Sequence, residues 1–82
     1  MRTRVPHDYK YHAEIQYEGE TAMRFTCATG NTIEQLLWDI DYEINQIKNR
    51  EPKIIEVLKN PNFKKEIITQ EIIKLYYHRG GS

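Results

Sequence analysis

One cysteine and three histidines, Cys27, His7, His12 and His78, are the first places to look for nucleophilic or metal chemistry in this 82-residue chain. A thiolate nucleophile needs a base within reach, and any of the three histidines is a formal candidate. The alternation of the segment around Cys27 turns it toward the interior beside Tyr11, so a packed core thiol is expected. Structural zinc takes four ligands, usually as two closely spaced pairs. His7 and His12 form one loose pair, with Asp8 and Cys27 as the only supplements nearby, so no metal site is expected. His12 alternates onto the polar side of its segment.

Acidic and phosphate-binding chemistry fares no better. Asp39 and Asp41 lie two apart on a helical segment and face different ways, whereas Asp39 and Glu43, four apart, share a side. Without a cleft these read as a solvated acidic face. Gly30-Asn31-Thr32 leads into a helix whose first amides point outward, but a capping side chain would satisfy them. No catalytic constellation emerges. The expectation is a protein that is not an enzyme and needs no cofactor.

Two aromatics stand out instead. If Ile33, Ile40 and Ile44 mark the inner face of a helix, Trp38 falls roughly 140° and Tyr42 roughly 180° away, at ~100° per residue. Gln35, Asp39, Asn45 and Gln46 surround them. Trp and Tyr are enriched at interface hot spots, so Trp38, Tyr42, Asp39, Gln35 and Gln46 are the candidate partner-binding set. The competing expectation is that a C-terminal helix wraps round and buries them.

Charge is unevenly spread although the net is zero. Residues 13 to 47 hold seven acids and one base, Arg24, for a net of −6, while residues 48 to 82 hold eight bases and four acids, for +4. The basic half offers a second reading. Lys53, Lys59, Lys64, Lys65, Lys74 and Arg79 would meet phosphates, with Tyr76 and Tyr77 stacking on bases. Glu56, Glu66 and Glu71 interrupt that run, and a pI near 6.8 is low for a dedicated nucleic-acid binder.

The elements that position these residues follow from periodicity. Tyr9 to Tyr17 alternates, as does Thr21 to Ala28, and Gly19 lies between them: a β-hairpin. A three-residue loop, Glu18-Gly19-Glu20, would pair Ile15 with Met23, Ala13 with Phe25 and Tyr11 with Cys27, all on one face. Thr32 with Gln35 suits a capping box. Ile33, Leu36, Leu37, Ile40, Ile44 and Ile47 then form an amphipathic stripe running to about Asn49, before Pro52. Beyond it, Pro52 suits a short helix over Ile54 to Leu58, and Asn60-Pro61 a second helix start leading to the stripe Ile68, Ile72, Leu75 and Tyr76. The β-branched residues of this region favour strands as the alternative.

These readings give a single α+β domain over residues 1–82. An N-terminal arm covers 1–8, a hairpin 9–28, the main helix 32–49, a C-terminal helical region 53–79 and a flexible tail 80–82. The ββα arrangement over residues 9 to 49 resembles the start of ubiquitin-like domains in topology, which transfers no function. One cysteine excludes an intramolecular disulfide and points to a reducing, cytoplasmic setting. The basic N-terminus lacks the apolar run of a signal peptide, and no stretch approaches the roughly 18–20 apolar residues of a membrane span.

The functional expectation is a small protein-binding module: an adaptor, a regulator or an inhibitor. An inhibitor of nucleic-acid-processing machinery, of phage or mobile-element type, would set its acidic segment in a basic cleft. The hairpin edge offers a route to a homo-oligomer. Nucleic-acid binding through the basic half is the alternative.

Overall fold

The computed structural model of the chain describes residues 9–61 and 63–78. The N-terminal arm with His7, and Arg79 with the tail, lie outside the described residues. Six elements follow in order: β1 (Tyr11–Glu18), β2 (Met23–Gly30), α1 (Ile33–Gln46), β3 (Lys53–Lys59), β4 (Glu66–Ile67) and α2 (Thr69–His78), with a 3-10 turn at Lys48–Arg50. The strands form one antiparallel sheet in the order β2-β1-β3-β4. Both helices pack on the same face. Tyr11, Ala13 and Ile15 of β1, Ala28 of β2 and Ile54 and Val57 of β3 meet Leu36, Leu37 and Ile40 of α1 and Ile72 and Tyr76 of α2 in one core.

The hairpin forms, but in a different register from the one its apolar residues suggest. The loop runs over Gly19, Glu20, Thr21 and Ala22, closed by a bond from the Gly19 N–H to the Ala22 carbonyl. Ile15 therefore faces Thr26, Ala13 faces Ala28, and Tyr11 faces Gly30. This parity puts Met23, Phe25 and Cys27 on the sheet face away from the helices, where all three are exposed. The expectation of a core thiol at Cys27 is overturned. The reason is steric. A Cβ on Gly30 would sit 2.6 Å from the Leu36 nitrogen and 3.0 Å from the Gln35 carbonyl carbon. The helix can settle on β2 only where β2 offers Gly30 and Ala28, not where it offers Phe25 and Met23.

Helix α1 starts as its sequence indicates. Thr32 is the N-cap and accepts a hydrogen bond from the Gln35 N–H at 3.1 Å. Gln35 reaches back one residue further than a capping box requires, accepting from the Asn31 N–H at 2.9 Å. The helix ends at Gln46, earlier than expected, because Ile47 leaves helical geometry (φ −126°, ψ 24°). The 3-10 turn and a left-handed Glu51 (φ 53°) then swing the chain into β3.

The helix expected over Ile54 to Leu58 is a strand. β3 pairs along β1, with a register shift beside Ile15 that leaves Ile55 without a partner. This bulge puts Ile54 and Val57, three residues apart, on the same buried face. Three-residue spacing is the signature of a helix, which is why the sequence misleads here. Asn60 does not start a helix either. It takes a left-handed φ of 55°, which Asn tolerates, and turns the chain out of β3. The final helix begins at Thr69. Its start is stitched to the sheet edge: the Ile68 N–H donates to the Val57 carbonyl at 2.9 Å, and the Val57 N–H donates to Thr69 Oγ1 at 3.0 Å.

The tight contact at Gly30 yields a direct test. Gly30→Ala forces backbone to move on one side or the other and is expected to cost about 1–3 kcal/mol in urea unfolding, whereas Gly-to-Ala in a roomy strand would be neutral or stabilising.

Candidate functional site

Trp38 and Tyr42 stand one helical turn apart on the outer side of α1, 70% and 59% exposed. No C-terminal helix buries them, because α2 lies over β3 and meets α1 on its other flank. Together with Tyr9, Gln35, Asp39 and the Thr29-Gly30-Asn31 corner they line an open depression of about 550 Å³. Of the partner-binding set, Trp38, Tyr42, Asp39 and Gln35 come together there. Gln46 is exposed one turn further along α1 and does not line it.

The sequence missed Tyr9, which forms part of the wall. Its ring stacks on His12, with centroids 6.1 Å apart and 20° between the planes. It is placed by the residue that follows: the Lys10 N–H donates to Asn31 Oδ1 at 3.1 Å, tying the lead into β1 to the start of α1. The signal was hidden because Tyr9 reads as the first residue of an alternating strand, whereas β1 begins at Tyr11.

The carboxylates of α1 are structural rather than merely solvated. Asp39 Oδ2 accepts the Thr29 N–H at 2.8 Å. Thr29 lies on the edge strand, so its amide points away from β1, and Asp39 fills the place of a missing strand. Glu43 accepts from Thr26 Oγ1 at 3.1 Å, further along the same edge. The far end of β2 is thus occupied by α1 and closed to strand pairing at that amide. Thr29 itself is buried, and its hydroxyl has no hydrogen-bond partner among the described residues.

Asp41 turns the other way. Its Oδ1 accepts the Tyr76 hydroxyl at 2.9 Å, across 35 residues of sequence, and its Oδ2 accepts from Asn45. Tyr76 is almost fully buried, and burial, reinforced by the Asp41 carboxylate, pushes its pKa well above the ordinary 10.0. This bond fixes α2 against the flank of α1 opposite Asp39.

The lysines are dispersed. Lys53 and Lys59 occupy opposite ends of β3, roughly 20 Å apart at strand rise. Lys64 and Lys65 lie together in the exposed β3–β4 connection, beside Phe63, and Lys74 is exposed on α2. Tyr76, assigned to base stacking in that reading, is a core residue, while Tyr77 is half exposed. Among the described residues no group of histidine, cysteine and acidic side chains is arranged to hold a metal ion. Within the same residues no helix is long and apolar enough to cross a membrane. No protein family model, curated protein or solved structure matches the chain.

The Tyr76–Asp41 bond carries a pH signature. Below pH 10 the tyrosine is protonated whether the chain is folded or not, so it adds no slope. Above that, the unfolded chain releases a proton that folded Tyr76 holds, and stability falls as pH rises toward the folded pKa. Tyr76→Phe is therefore expected to cost about 1–2 kcal/mol at neutral pH and to flatten the loss of stability above pH 10, measured by urea unfolding across that range. An unchanged alkaline slope would place the hydroxyl in water.

Proposed function

We propose that this chain is a non-enzymatic protein-binding module that engages its partner through the outer face of α1. Trp38 and Tyr42 are the anchors, with Gln35 and Asp39 supplying directed polar contacts beside them. One observation carries the reading: two large aromatics, 70% and 59% exposed, sit side by side at an open depression on a well-anchored helix. A tryptophan left in water gives up stabilisation that burial would supply, about 2–3 kcal/mol for a side chain of this kind, and such residues gather where a partner supplies the burial. The helix beneath is held at both flanks by Asp39 and Asp41, so the anchors are presented at little ordering cost. The acidic character of α1 suits a partner with a basic surface. That is the form an inhibitor of nucleic-acid-processing machinery, of phage or mobile-element origin, would take.

A second reading is nucleic-acid binding by the β3–β4 connection. It rests on Phe63, almost wholly exposed, next to Lys64 and Lys65. It uses a different surface from the first, so the two separate cleanly.

Trp38→Ala should fold with stability within about 0.5 kcal/mol of wild type, as an exposed substitution does. Capture from source lysate with wild type, Trp38→Ala and a Phe63→Ser/Lys64→Ser/Lys65→Ser variant, with and without nuclease, then decides. A stoichiometric protein partner that resists nuclease, persists with the triple variant and is lost with Trp38→Ala is the expected result. Retention by Trp38→Ala, with loss in the triple variant or on nuclease treatment, would transfer function to the second surface.

A further inference from the structure

The groove at Trp38 sets aromatic rings beside a carboxylate, and we propose that it receives a cationic side chain, the guanidinium or ammonium of a basic segment of the partner protein. This inference rests on the docking reading above and specifies its ligand. Three aromatic side chains, Tyr9, Trp38 and Tyr42, line the same depression as the Asp39 carboxylate, and among the described residues no cationic side chain lines it. The helix that carries the groove holds four acids, Glu34, Asp39, Asp41 and Glu43, and no base.

The polar groups of the groove narrow the choice further. Gln35 Oε1 and Asn31 Oδ1 are already taken, by the Asn31 and Lys10 amides. Asp39 Oδ2 holds the Thr29 amide. Among the described residues the buried Thr29 hydroxyl is left without a hydrogen bond; Asp39 Oδ1 is the carboxylate oxygen that the Thr29 amide does not use. An apolar occupant would cover the Asp39 carboxylate and return nothing for its lost water. An acidic occupant, a phosphate included, would be repelled by the carboxylates of α1. A cation satisfies both constraints. It is attracted to the faces of tryptophan and tyrosine rings, and it donates to a carboxylate beside them.

The test titrates the isotope-labelled chain with three short capped peptides that differ at one central residue: arginine, its uncharged isostere citrulline, and norleucine. Binding is read from the Trp38 indole N–H and the Tyr42 ring in NMR spectra. The arginine peptide is expected to shift both signals saturably. Citrulline should bind about tenfold more weakly, and Trp38→Ala should abolish the response. Equal binding of arginine and citrulline overturns the inference, as does an arginine response confined to Glu34 or Asp41, or no response up to about 10 mM peptide. A norleucine peptide that shifts Trp38 more strongly than arginine also overturns it, yet leaves the docking reading standing with an apolar ligand. Loss of the docking reading itself would come from the capture experiment, in which the partner would ignore Trp38.

Discussion

The molecule is organised by the close approach of one helix to one strand end. Gly30 and Ala28 give α1 room to settle on β2, and Asp39 then takes the outward amide of Thr29. Steric permission and a charge-assisted hydrogen bond act at the same place. They fix which face of β2 turns inward and, through it, the register of the whole hairpin. They also set the rotation of α1. With Leu36, Leu37 and Ile40 directed into the core and Asp39 at the strand edge, Trp38 and Tyr42 have no course but outward.

The second helix completes the arrangement without competing for that surface. α2 is stitched to β3 by Thr69 and Ile68 and to α1 by Tyr76 and Asp41. Each helix thus lies beside a strand whose backbone amide a side chain satisfies, Thr29 through the Asp39 carboxylate and Val57 through the Thr69 hydroxyl. The four-stranded sheet and both helices share one core. The proposed docking surface is the part of α1 that neither the sheet nor α2 needs. Its anchors therefore contribute little to folding, and a partner can bury them without disturbing the core.

Parts of this were legible in the residues. Alternation from Tyr9 to Tyr17 indicated β1, which starts two residues later at Tyr11, and the Thr32 cap indicated the start of α1. The stripe of Ile33, Ile40 and Ile44 put Trp38 and Tyr42 on its outer side, but the residues did not decide whether the C-terminal region would cover them. Periodicity failed where a local constraint outweighed hydrophobicity. In β2 the more apolar face points to water, because only the small face admits a helix. In β3 a bulge at Ile55 gives a strand the three-residue spacing of a helix. Long-range hydrogen bonds left no mark in the pattern at all. The pairing of Asp39 with Thr29 and of Asp41 with Tyr76 turned residues that read as solvated acids into the fastenings of the fold. Tyr9 joined the groove through a tie between Lys10 and Asn31 that spacing does not foretell.

The most direct test of this account is the cross-strand contact between α-protons in the hairpin. Because the Thr29 amide points away from β1, His12–Thr29, Glu14–Cys27 and Gln16–Phe25 are the pairs whose α-protons lie close. Strong nuclear Overhauser effects between the α-protons of Glu14 and Cys27 and of Gln16 and Phe25 are the predicted result. Effects linking Tyr11 with Cys27, or Ala13 with Phe25, would show the apolar face of β2 turned inward and would contradict the placement of α1, and with it the groove at Trp38.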